Sequence, residues 1–150
     1  MSQQLGTTVH EYDCFNLTRP GCQNGTFTFH EECIGEVRQT LDGRSYDTLP
    51  EQLARNGDGD TRLIVKMDVE GSEWASLIAT PDSVLEQIDQ LVIELHGTDD
   101  PSYVAMVQKL KRLFYVVHFH ANNNACMKGI KPFTAWANEV LFVNKRIGCT

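Results

Sequence analysis

Leu63-Ile64-Val65-Lys66-Met67-Asp68-Val69 is a mainly apolar run that stops at Glu70-Gly71. A short apolar run bounded by turn residues is the pattern of a strand covered on both faces. A buried strand is therefore expected at Leu63 to Val69, with a helix beginning near Ser72. Gln90-Leu91-Val92-Ile93-Glu94-Leu95-His96-Gly97 repeats the pattern, an apolar strand with a polar end. Between the two, Pro81 stops or restarts the helix, and Asp82-Ser83 opens a short amphipathic segment through Val84, Leu85 and Ile88. Asp99 or Asp100 is placed to cap a further helix, where Tyr103, Val104, Val107, Leu110 and Phe114 recur at helical spacing. Tyr115 to His120 reads as a strand, Ala121 to Asn124 as a turn, and Asn138 to Asn144 as a last strand.

Upstream, Val9 to Asp13 reads as a short strand ending in an acid, and Asn16 to Gly25 as a loop. Thr26-Phe27-Thr28-Phe29-His30 alternates polar and aromatic residues, as a strand does. Asp42-Gly43 marks a turn. Thr48 is suited to cap a helix that carries Pro50 in its first turn and Glu51 at the capping-box position. Strands alternating with helices predict an α/β fold with a mostly parallel sheet and right-handed crossovers. At 150 residues, one domain with a real core is expected.

Composition narrows the classes. A net charge of −7 leaves no basic stripe to neutralise phosphates, which argues against a nucleic-acid surface. No run reaches the apolar length that spans a bilayer. The polar start Met1 to Gly6 does not read as a signal peptide, so a complete chain of this kind is expected in the cytosol. Cys14, Cys22, Cys33, Cys126 and Cys149 include no C-x-x-C pair, which makes structural zinc a weak reading. Three of the five cysteines share the N-terminal third with two sequons, Asn16-Leu17-Thr18 and Asn24-Gly25-Thr26. In a longer parent protein these point to the secretory lumen.

Candidate chemistry gathers at three strand ends. Asp68 and Glu70 follow the first buried strand, Glu94 and His96 the second, and His118, His120 and Asn122 the third. Alternate residues share a face, so Lys66 pairs with Asp68, Glu94 with His96, and His118 with His120 and Asn122. If the strands run in parallel, these ends form one edge, where α/β sheets bind their ligands. Each residue also has a structural role open to it. Asp68 or Glu70 suits a helix cap, either histidine a satisfied structural position, and the asparagines a turn. Trp74 and Trp136 read as packing residues.

Ile64 to Glu73, with its core Lys66-Met67-Asp68-Val69-Glu70-Gly71, resembles the fourth-strand motif of FkbM-type S-adenosylmethionine-dependent methyltransferases. Val9 to Phe15, Phe29 to Gly35, Leu91 to His96 and His118 to Val143 are similar, in order, to other parts of that family. The resemblance implies a Rossmann-like methyltransferase sheet with its last strand antiparallel, lacking the glycine-rich first motif at the N-terminal side. It implies S-adenosylmethionine as cofactor, with Asp13 or Glu11 holding the ribose hydroxyls and Glu70 nearby. It further implies O-methyl transfer to a small-molecule or glycan-like acceptor; that chemistry needs a base beside the acceptor, for which His96 or His120 is the candidate, with Asp68 placed to orient the acceptor.

Two other functions fit the same residues. Asp68, Glu94, His96 and His120 make a mixed carboxylate–imidazole set suited to a divalent cation in a metal-assisted enzyme. A methyltransferase-like domain without the glycine-rich turn would instead bind a partner, or a second copy of itself through an uncovered sheet edge.

Overall fold

The computed structural model describes residues 6–19, 21, 25–98, 100–126 and 135–148. Cys22, Asn24, Asp99 and Cys149 lie outside the described residues, as do Met1 to Leu5.

Nine strands and four α-helices follow one another along the described chain. β1 (His10–Tyr12) pairs in parallel with β2 (Thr28–His30). β3 (Cys33–Ile34), β4 (Gln39–Leu41) and β5 (Arg44–Asp47) form a three-stranded sheet in the order β3-β5-β4. α1 (Leu49–Asn56) follows, capped as expected by the Thr48 hydroxyl, which accepts the Glu51 N–H at 3.4 Å. β6 (Leu63–Met67), α2 (Glu73–Ala79), α3 (Asp82–Leu85) and β7 (Ile88–His96) come next. After them come α4 (Val104–Leu113), β8 (Phe114–Ala121) and β9 (Ala137–Asn144).

β6, β7, β9 and β8 make a four-stranded sheet in that order. Leu91, Ile93 and Leu95 of β7 alternate with exposed Val92, so one face of the sheet is closed and the other open. The closed face packs on Leu77 of α2, Leu85 of α3, and Met106 and Leu110 of α4, none of them accessible to solvent. Each such side chain contributes about 1.5–3 kcal/mol by leaving water. The open face carries Ile64, Lys66, Val92 and His118, all exposed.

The expectation of one mostly parallel, Rossmann-like methyltransferase sheet is overturned. The strands divide among three sheets. β6–β7, β1–β2 and β3–β5 are parallel, whereas β7–β9, β8–β9 and β4–β5 are antiparallel. Two physical reasons account for the difference. Asp42 and Gly43 both hold positive φ, at 50° and 76°, the two-residue turn that joins antiparallel neighbours. β9 also inserts between β7 and β8, and hydrophobic alternation fixes a strand's buried face without fixing its direction or neighbours.

A disulfide joins Cys14, beyond β1, to Cys33 in β3, with Cα atoms 5.0 Å apart. Cys126 is free and exposed. No helix among the described residues is long and apolar enough to cross a membrane.

Candidate active site

β6 and β7 run side by side with Lys66 opposite Val92 and Met67 opposite Ile93. One further pleat along this register carries Asp68 next to Glu94, with His96 just beyond. The chain then turns sharply, with Glu70 at φ 54° and Gly71 at φ 107°. A non-glycine residue in that region is uncommon and marks a turn held by its surroundings. Here the holding group is Glu73. Its buried carboxylate accepts the N–H groups of Val69 at 3.1 Å and Gly71 at 2.8 Å. Ser72, in the N-cap position of α2, makes no side-chain cap, so Glu73 performs that task from inside the helix.

Glu73 has a third partner, His96 Nδ1, at 2.7 Å. A carboxylate offers only acceptors, so Nδ1 carries the hydrogen and Nε2 is the free ring nitrogen. His96 is 5 % exposed. Its backbone carbonyl accepts the Trp74 indole N–H, and Trp74 stacks on Tyr103 with ring centroids 4.1 Å apart. Trp136 leans over the imidazole at 5.4 Å. The ring is thereby fixed in tautomer, orientation and depth.

Nε2 points into a ring of carboxylates. Glu70 Oε2 lies 3.6 Å away, Glu94 Oε1 3.9 Å and Asp68 Oδ1 4.0 Å. None is within hydrogen-bonding reach. Asp68 is answered by Lys66 at 3.2 Å, and Glu94 accepts from the Asn122 side-chain amide at 2.8 Å. The donor atoms of Asp68, Glu70 and His96 all fall within 4.8 Å of one another. The arrangement can accept a proton from a hydroxyl at Nε2 while carboxylates hold neighbouring hydroxyls, and it can also ligate a cation.

Five of the residues singled out from sequence thus converge: Asp68, Glu70, Glu94 and His96, with Asn122 held on Glu94. Asp68 does not cap α2. His120 does not join them. It sits on β8 opposite Glu139, and Glu139 in turn faces Glu94, so His120 is two strands away, about 10 Å at ordinary strand spacing. Asp13 and Glu11 belong to the separate two-stranded sheet. Asp13 Oδ1 is engaged in its own loop, accepting the N–H groups of Phe15 and Asn16 at 2.8 Å each.

Sequence reasoning missed Glu73, which reads as an ordinary acid in the first turn of a helix. Nothing in the sequence set it apart, because Ser72 stands in the ordinary capping position just before it. Trp74 packs in the core as expected, whereas Trp136 is 38 % exposed and walls the site.

A different concavity, of about 520 Å³, opens where β6 and β7 begin, lined by Arg62, Arg112, Asn144, Lys145 and Arg146 among others. Its cations are matched by neighbouring acids or carbonyls, and its lining holds no histidine or cysteine, so the histidine cluster is the better candidate.

No family model matches this sequence, and no curated protein or solved structure compared with it matches either.

Proposed function

We propose that the Glu73–His96 pair and its carboxylates form the acceptor side of an S-adenosylmethionine-dependent O-methyltransferase acting on a small polyol or glycan-like molecule. The observation that carries this reading is the buried His96, held by Glu73 at Nδ1 and presenting Nε2 to Asp68 and Glu70. The Lys66-Met67-Asp68-Val69-Glu70-Gly71 motif, which resembles that family, supplies these same two acids.

In this reading an acceptor hydroxyl gives its proton to His96 Nε2 as its oxygen becomes the nucleophile. Glu73 holds the ring in place and stabilises the imidazolium that forms, as the carboxylate of a catalytic triad does. Asp68 and Glu70 accept hydrogen bonds from flanking hydroxyls and so fix which oxygen faces the base. Trp136 offers an aromatic wall for an apolar sugar face. The cofactor, when bound, supplies an electrophilic methyl group. The described residues fit it in part: Asp13 stands at a strand end but has Oδ1 committed to its loop.

The test combines calorimetry of cofactor binding with transfer of a labelled methyl group to a panel of polyols. Transfer is expected from the unaltered chain. His96→Gln should lower it by roughly 10²–10⁴-fold, the usual worth of general-base catalysis, without changing cofactor affinity. No cofactor binding together with no transfer overturns the reading.

A second reading has one specific observation behind it, the three donor atoms within 4.8 Å. A divalent cation held by Asp68, Glu70 and His96 would follow the pattern in which a ligating histidine donates its other N–H to a carboxylate. Elemental analysis and titration with Mg²⁺, Mn²⁺ and Zn²⁺ test it. Stoichiometric binding lost in Asp68→Asn supports it, and no binding of any of the three removes it.

A further inference from the structure

We propose that Asn16 is an acceptor for an N-linked glycan, in a chain that matures in an oxidising compartment. The sequon Asn16-Leu17-Thr18 lies in the loop between β1 and β2, and all three of its residues are exposed. Phe15 and Leu17 beside it are 70 % and 53 % exposed, an apolar surface that an attached glycan would cover. Asn16 Oδ1 accepts the Thr18 N–H at 3.2 Å, a bond that engages the oxygen and not the Nδ2 amino group.

A sequon alone is common. The independent observation is the neighbouring Cys14, bridged to Cys33 in β3. Such bridges persist where thiols are oxidised, the same environment in which N-glycans are attached. The loop therefore carries two marks of one compartment within three positions. In the transfer step, Nδ2 forms a bond to the anomeric carbon of an oligosaccharide carried on a lipid pyrophosphate. The bond from that carbon to the pyrophosphate oxygen breaks, the lipid pyrophosphate leaves with the electron pair, and Nδ2 loses a proton. This inference stands apart from the histidine site and from methyl transfer.

The test is mass spectrometry of the Asn16 peptide from the protein isolated from its source cells, alkylated before any reduction. A glycan on Asn16, released by peptide N-glycosidase with conversion to Asp, is expected, together with a Cys14–Cys33 linked peptide. In a eukaryotic secretory host, Asn16→Gln and Thr18→Ala should each lose one glycan-sized step in gel mobility, and Thr18→Ser should retain it. Unmodified Asn16 in the native protein, or alkylated thiols at Cys14 and Cys33, overturns the proposal.

Discussion

β6 and β7 have two ends, and they are built on opposite principles. Where the strands begin, Arg62 and Arg146 both converge on Asp89, and Arg62 also donates to the Glu86 carbonyl. The Asn144 side-chain amide donates to the carbonyl of Ile88 at 2.9 Å, and Arg112 meets Asp82 at 3.0 Å. Lys109 donates to the carbonyls of Leu77, Ile78 and Thr80 at the end of α2. Where the strands finish, Asp68, Glu70, Glu73 and Glu94 surround one imidazole, and among the described residues Lys66 alone brings a cation, to Asp68. The first end answers its cations with acids or backbone carbonyls and so closes the fold. The second keeps an excess of negative charge beside a free ring nitrogen. Such imbalance is costly to hold without a purpose, and in the proposed reading it marks the functional end.

The comparison can be broken most directly at His96, whose replacement by Gln should remove methyl transfer by the factor given above and, because the Gln amide can still donate to Glu73, cost less stability than Glu73→Ala. A variant that unfolds instead would make that end structural too. Glu73→Ala strips two backbone N–H groups and the imidazole of their acceptor inside the fold. A loss of roughly 3–5 kcal/mol in denaturant unfolding is expected, the usual cost of removing one partner from a buried charged network. At the other end, Lys109→Met leaves three helix-terminal carbonyls short of a donor and should cost about 1–3 kcal/mol by the same measurement.

Acid titration sharpens the contrast outside both ends. His30 stacks on Tyr12 and meets His10 at 3.0 Å. Burial, and then the neighbouring His10, hold its pKa below the ordinary histidine value. Between that ordinary value, about 6.5, and the lower folded one, the unfolded chain binds more protons than the native one. Stability therefore falls as pH drops through this window. Thermal melts from about pH 7.5 to about pH 5 should show the fall, and His30→Gln should flatten it. The smallest effect is expected from Asp89→Asn. Its two arginine partners are both substantially exposed, so the loss should stay within about 1 kcal/mol and shrink further in concentrated salt.

Much of this was legible in the sequence because local chemistry decided it. Thr48 and Glu51 announced α1, and the apolar runs announced β6, β7 and β9. Acids and a histidine at strand ends announced the cluster, since β6 and β7 are in fact parallel neighbours. What stayed hidden was long-range. Nothing in Ala137–Asn144 says that it will slide between β7 and β8, and that placement is what separates His120 from Glu94. The short strands β3 to β5 offered too few residues to show a period. Glu73 looked like a solvent-facing helix residue, because its burial depends on β7 returning His96 to the same spot.

The bridge between Cys14 and Cys33 spans 19 positions, and a closed loop of that size limits the unfolded chain by roughly 3 kcal/mol. A reducing purification buffer would thus act as a mild denaturant aimed at the first two small sheets, while the four-stranded sheet and its histidine kept their shape. Two laboratories using the same chain, one with thiol reagents and one without, would be weighing different molecules.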